Sequence, residues 1–364
     1  MIFLVKRILA LILLIFAIFS FYAYGEEDIT TFEKALVLQV VNDENISDEN
    51  INGVQFVELK ILTGKYKGKT FNIENVLSDH PVYDIPVKKG DKVLVFMEVN
   101  EEGNLEVNIT DYVRNNYIYI LVLIFVIILL LIGRIKGLKT ILTLVFTMLM
   151  IFKVLLPLML RGYNAVFITI LISAIVTIVT ITIISGFSKK SAAAVIGTVS
   201  GVLIAGFIAF IIGTKVKLTG LSSEEAVMLS YIPQDINFNF RDLLFSGILL
   251  GTLGAVMDVS MSIASAIEEI NRANSKLSMK ELFISGMNVG KDIMGTMSNT
   301  LILAYTGSTV PLMLLFMAYE TSFLRISNMD IIATEIIRSL AGSIGLILAI
   351  PLTAVISAML IKKE

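Results

Sequence analysis

Three oxygen-bearing side chains, Asp258, Ser262 and Ser265, fall in the run LLFSGILLGTLGAVMDVSMSIASAI, residues 243–267, where Asp258 is the only charge. At 3.6 residues per helical turn they share a face with Gly247, Gly251 and Gly254. Leu249, Leu250, Leu253, Val256 and Ile263 lie opposite. Asn288, Asp292, Gly295, Asn299 and Thr306 repeat the same spacing farther on. A carboxylate halfway across a bilayer costs about 2.5–3.5 kcal/mol on insertion scales, so it is usually paired or faces a wet cavity. Carboxylate, amide and hydroxyl oxygens suit protons or hard cations. The two stripes are therefore expected to turn toward protein and one another, leaving the apolar positions for lipid or packing. Asp258, Ser262, Ser265, Asp292 and Asn299 are the candidate intramembrane site, with any metal unknown. An aspartyl pair activating water needs near contact. Asp258 is expected mid-span and Asp292 near the inner face, which argues against one.

The elements that must carry these residues are membrane spans. Hydrophobic residues make up 56% of the 364 and charged residues only 16%, against about 25% charged in soluble domains. A span needs roughly 20 apolar residues. Seven are expected: 117–132, 138–160, 165–184, 192–212, 243–267, from near 293 towards 319, and 331–361. The sixth contains Gly307 and Pro311, a pairing that marks a helix break or kink. Breaks are tolerated in membranes where protein or a cavity receives the freed backbone groups, and in transporters they often mark the substrate site. Residues 268–292 are expected as an amphipathic helix on the inner membrane face, and 213–242 as an outer loop. Glu335 and Arg338, three apart, can pair or reach the interface. Lys153 lies within the second span and can reach a carboxylate or water.

Before the spans, Lys6 and Arg7 precede an apolar run that ends at Ala23-Tyr24-Gly25. That is the anatomy of a signal peptide over residues 1–25, with an uncleaved signal anchor as the alternative. Residues 26–116 are expected as an exported all-β domain and 117–364 as the transmembrane domain. VQFVELKILT, TFNI, KVLVFMEV and LEVNI read as strands separated by GKYKGK, a Gly-Asp turn and EEGN. About five such strands suggest a small OB-like or SH3-like barrel. The fold class is thus an α-helical polytopic membrane protein with a small exported β-barrel-like domain. With the β domain outside, alternation puts Arg134, Lys136, Lys139, Lys189, Lys190, Arg272, Lys276, Lys280, Lys291, Lys362 and Lys363 inside, so the C-terminus is cytoplasmic by the positive-inside rule.

Several functions are disfavoured. There is no cysteine and a single histidine, His80, read as a solvated loop residue, so thiolate chemistry and Cys or multi-His metal sites fall away. A net charge of −2 gives no electrostatic footprint for nucleic acid. No P-loop, HExxH or GxSxG motif occurs. No cofactor and no enzymatic activity is expected. The partners expected are the bilayer, a small solute or a cation or proton, and a second copy or second family member.

GAVMDVSMSIASAIEEI, residues 254–270, and GMNVGKDIMGTMSNTLILAYTG, residues 286–307, resemble the hallmark segments of the YibE/F family. The resemblance extends from about residue 30 onward. It implies a multi-pass protein of the bacterial plasma membrane and supplies no catalytic residues. Two readings follow: a transporter or permease using Asp258, or a non-transporting component whose exported β domain binds a partner or envelope ligand.

Overall fold

The computed structural model describes residues 31–43, 53–78, 84–99, 105–232, 238–320 and 322–362. The signal segment, His80 and the EEGN turn lie outside the described residues. The chain divides into two compact units that part between Leu131 and Ile132.

The first unit holds five antiparallel strands in the order β3-β2-β1-β4-β5. They are β1 (Thr31–Asp43), β2 (Gly53–Ile61), β3 (Thr70–Leu77), β4 (Lys92–Val99) and β5 (Leu105–Tyr112). The longest, β1, is central and pairs with both β2 and β4. It has no counterpart among the strands expected from sequence, because its apolar run shows little alternation and no internal turn signal. A register shift between Val37 and Gln39 bends it, as a bulge does. Ala35, Val37, Val57, Leu59, Ile61, Val93, Val95 and Met97 fill the inner face. The β3 and β5 ends approach each other, so the sheet curls into a partly open five-stranded barrel, the OB-like form.

The helical elements are α1 (Asn115–Leu149), a π-helical segment (Met150–Leu155), α2 (Leu156–Leu160), α3 (Ala165–Ser185), α4 (Lys189–Lys215), α5 (Glu224–Leu229), α6 (Phe240–Ala273), α7 (Met279–Ser308), α8 (Val310–Ala318), α9 (Phe323–Ser327) and α10 (Asp330–Lys362). Among the described residues, five helices are long and apolar enough to cross a membrane, and six when the bent pair α7–α8 counts as one span. Seven runs were expected. The difference lies in the first two, which follow one another without a loop in the stretch Asn115–Leu160, two helices that meet at a kink at Arg134. Arg134, at φ 47° and ψ −121°, interrupts the helical dihedrals.

The second unit is held by four-residue spacing of small side chains. On α4, Ala193, Gly197, Gly201, Ala205, Ala209 and Gly213 are all buried. On α10, Ala341, Gly345, Ala349, Thr353 and Ser357 are buried at the same spacing. The two stripes pack together. A Cβ added at Gly201 would lie 2.7 Å from both Ala349 Cβ and Val256 Cγ1 and 3.0 Å from the Gly345 carbonyl. Glycine is required there by close approach of backbones. Larger side chains of α6 fill the remaining grooves of α4, Leu249 against Gly206 and Phe245 against Gly213.

These contacts also fix direction. The pairs Gly197–Ser260, Gly201–Val256 and Gly213–Phe245 run α4 antiparallel to α6. Gly286–Ala354 and Gly290–Ile350 run α7 antiparallel to α10, so α8 is not a separate crossing between them. One end of the unit gathers Lys139, bonded to the Ile184 carbonyl, the Lys190–Glu268 ion pair at 2.8 Å, and Lys362, bonded to the Ser275 carbonyl. The other gathers Asn164 with Asp242, Thr219 with Asp330, and Arg241 with the Leu218 carbonyl. Lys139, Lys190 and Lys362, expected on one side, thus gather at one end, whereas Lys291, expected with them, lies 12 residues into α7.

Residues 268–292 do not form a separate surface helix. They are the end of α6, a short loop, and the start of α7. Ser278 and Glu281 make a reciprocal capping box that starts α7, and Leu282 is fully buried one residue later.

Candidate functional site

Asp258 sits near the middle of α6, roughly 27 Å along the axis from Phe240 and 22 Å from Ala273 at 1.5 Å per residue. Gly247, Gly251, Gly254, Asp258 and Ser262 are exposed and Ser265 is half-buried. Leu249, Val256 and Ile263 on the opposite side are fully buried, and Leu253 nearly so. This corrects the expected orientation: the apolar face packs into the bundle and the small, polar face points out of it. The cause is α4, whose own glycines supply the grooves that receive Phe245, Leu249 and Val256.

The α7 stripe behaves in the same way. Gly286, Gly290 and Leu301 pack inward. Asn288, Asp292, Gly295 and Asn299 are exposed, and at 100° per residue they lie on the helix side opposite that packed face. The two stripes therefore do not face one another across the α6–α7 seam. No described residue hydrogen-bonds or ion-pairs with Asp258, Ser262, Ser265, Asp292 or Asn299. Among the described residues no cluster of three or more acidic or histidine side chains could hold a metal ion.

Their heights do agree. Gly286 packs on Ile267, Gly290 on Ile263, and the Tyr305 hydroxyl on Gly251. This register levels Asp258 with Gly295, and places Asp292 and Asn299 about one turn to either side. Asp292 thus lies 13 residues into its helix, about one turn from the height of Asp258. The depth difference expected between the two acids is corrected, because α7 starts at the Ser278 cap rather than near Ile293.

The break follows. α7 ends at Ser308, Thr309 caps it, and Pro311 lies in the first turn of α8, where its missing N–H costs nothing. The two helices meet at 58°. Gly307 has open space beside it.

Two other charged features are resolved. Arg338 donates to Glu335 at 2.6 Å and its guanidinium lies 5.9 Å from the Tyr305 ring centroid. The pair is therefore tied to its neighbours rather than free at the interface. Lys153, exposed in the π-helical segment, meets no carboxylate among the described residues.

The bundle interior holds hydroxyls that sequence reasoning missed. Ser260, Thr353 and Ser357 are buried with no hydrogen-bond partner for their oxygens, as are Thr169 and Ser173. A side chain at Gly197 would collide with Thr353 Oγ1 and lie 3.3 Å from Ser260 Oγ, so both hydroxyls face α4 at that glycine. The four-residue spacing of Thr169, Ser173 and Thr177, and of Thr353 and Ser357, is the signal that reveals them.

In the strand unit, Gln39, Val41, Phe56, Glu58, Asn72 and Glu74 line an open groove of about 360 Å³ on the outer sheet face. Phe56 is exposed there while its neighbours Val57 and Leu59 fill the core.

No curated protein and no solved structure matches the chain. Two family models do. One, described as YibE/F family N-terminal domain, matches residues 29–112, and the other, described as YibE/F-like protein, matches residues 121–363. With a multi-helix apolar bundle following a small half-barrel, and both models matched in that order, the chain belongs to the YibE/F family.

Proposed function

We propose that this YibE/F-family membrane protein is a permease for a small solute or ion, with Asp258, Ser262, Asp292 and Asn299 on its route and Ser265 at the edge. One observation carries this reading: an acid halfway along a membrane-length helix is exposed and has no partner among the described residues. Hydrocarbon is an unfavourable neighbour for it, whereas water, a cation or a polar partner is a favourable one. Asp258 is the proton or cation acceptor. Ser262 and Asn299 supply neutral oxygens nearby, and the Gly307–Pro311 bend opens the outer end of α7. The site is read as non-enzymatic, with no cofactor. The basic end of the bundle, with Lys139, Lys190, Lys276 and Lys362, is cytoplasmic by the positive-inside rule. Residues 26–116 are then extracytoplasmic, residues 1–25 are the signal segment, and the membrane is the bacterial plasma membrane.

The test is flux in proteoliposomes. Wild type is compared with Asp258→Asn across a panel of alkali cations, divalent cations and an imposed pH gradient. A flux present in wild type and reduced at least tenfold in Asp258→Asn supports the reading. Equal flux in both across the whole panel, or none in either, removes it.

A second reading has its own observation. The groove on the outer sheet face joins an exposed Phe56 to the carboxylates of Glu58 and Glu74 and the amides of Gln39 and Asn72. Such a surface fits a polar, hydrogen-bonding envelope ligand. In that case the helices serve as an anchor, and ligand capture by the full-length protein in nanodiscs is lost in Phe56→Ser while flux is absent.

A further inference from the structure

We infer that a second copy of this chain covers the exposed polar face of α6 and α7 and completes the site. This rests on the permease reading in treating that face as functional. The described helices that pack on α7, namely α6 and α10, lie on its other side through Gly286, Gly290 and Leu301. The stripe Asn288, Asp292, Gly295 and Asn299 is therefore turned away from the rest of the unit. Lipid tails offer no donor or acceptor to it.

The face is complementary to itself. Asp258 and Asp292 are acceptors. Asn288, Asn299, Ser262 and Lys291 are donors, and all of these are exposed. Two copies inserted in the same orientation and related by a two-fold axis along the membrane normal keep every residue at the same height in both. The register above places Asn299 within about one turn of the height of Asp258. A carboxylate on α6 of one copy then finds an amide donor on α7 of the other at its own depth. The glycines leave room for this. Gly247, Gly254, Gly295 and Gly307 have nothing within 4 Å of where a Cβ would sit, so a second helix backbone can come close. Within one chain the two stripes diverge, and the second copy brings them together.

The chain has no cysteine, so single-cysteine variants report without background. Gly254→Cys, Gly295→Cys and Asn299→Cys are oxidised in native membranes, with Phe207→Cys as the control on an exposed apolar position of α4. Copies per particle are counted in nanodiscs in parallel. The expected result is a disulfide-linked dimer from at least one of the three stripe variants, none from Phe207→Cys, and two copies per nanodisc. One copy per nanodisc with no stripe cross-link overturns the inference, as does equal cross-linking at Phe207→Cys. The two proposals separate cleanly. Two copies with flux indifferent to Asp258 keep the dimer and remove the permease. One copy with Asp258-dependent flux does the reverse.

Discussion

At the residue scale, Asp258 is an acid with no partner among the described residues. It makes no hydrogen bond to a described residue, so Asp258→Asn should change folding stability by no more than about 0.5 kcal/mol, the usual range for exposed substitutions. Thermal unfolding in detergent checks this, and a large loss would mean that the carboxylate is a structural acceptor after all. The residue itself was legible in the sequence, because a lone charge in an apolar run stands out. Its orientation was not. A helical wheel separates the faces of α6 but does not say which faces protein, since that depends on what α4 presents to it. The buried hydroxyls Ser260 and Thr353 were hidden for the converse reason. Serine and threonine are common in spans, and only their burial beside Gly197 singles them out.

At the element scale, the unit is organised by the four-residue small-side-chain stripes of α4 and α10. Gly201→Val should cost about 1–3 kcal/mol by overpacking, because the new methyls run into Ala349, Val256 and the Gly345 carbonyl. Gly254→Ala should be near neutral for folding of the single chain, since that Cβ meets nothing within 4 Å. Melting temperatures of the two variants in detergent check the pair, and equal losses would contradict the packing account. The stripe on α4 was present in the sequence as Ala193, Gly197, Gly201, Ala205, Ala209 and Gly213, yet the glycines of α6 drew the attention because they share a face with Asp258. Both are small-xxx-small patterns, and sequence spacing does not say which of two such faces is used within the chain. The central strand β1 escaped notice because alternation, the signal for a half-exposed strand, is weak where Ala35 to Val41 is almost continuously apolar. The start of α7 was legible in principle from the Ser278–Glu281 capping box.

At the scale of the whole molecule, the alternation of loops is the part that sequence charge anticipates best. Lys139, Lys190 and Lys362 come from three separate parts of the chain and end at one pole of the second unit. Lys276→Cys should therefore react with a membrane-impermeant thiol reagent only after cells are permeabilised, whereas Lys67→Cys in the strand unit should react on intact, wall-stripped cells. The opposite pattern would invert the orientation. How often Asn115–Leu160 crosses was not legible, because the two apolar runs around Arg134 meet at a kink with no loop between them.

The outward face of α6 at the level of Asp258 is expected to meet water or a polar partner and not hydrocarbon. Ser262→Cys, one turn from Asp258 in a chain with no other cysteine, tests it most directly by its rate of reaction with a charged, water-soluble thiosulfonate in proteoliposomes. Rapid labelling is expected, slowed by a permeant cation or a change of pH. Labelling by a lipid-soluble maleimide alone, with none by the charged reagent, would contradict it.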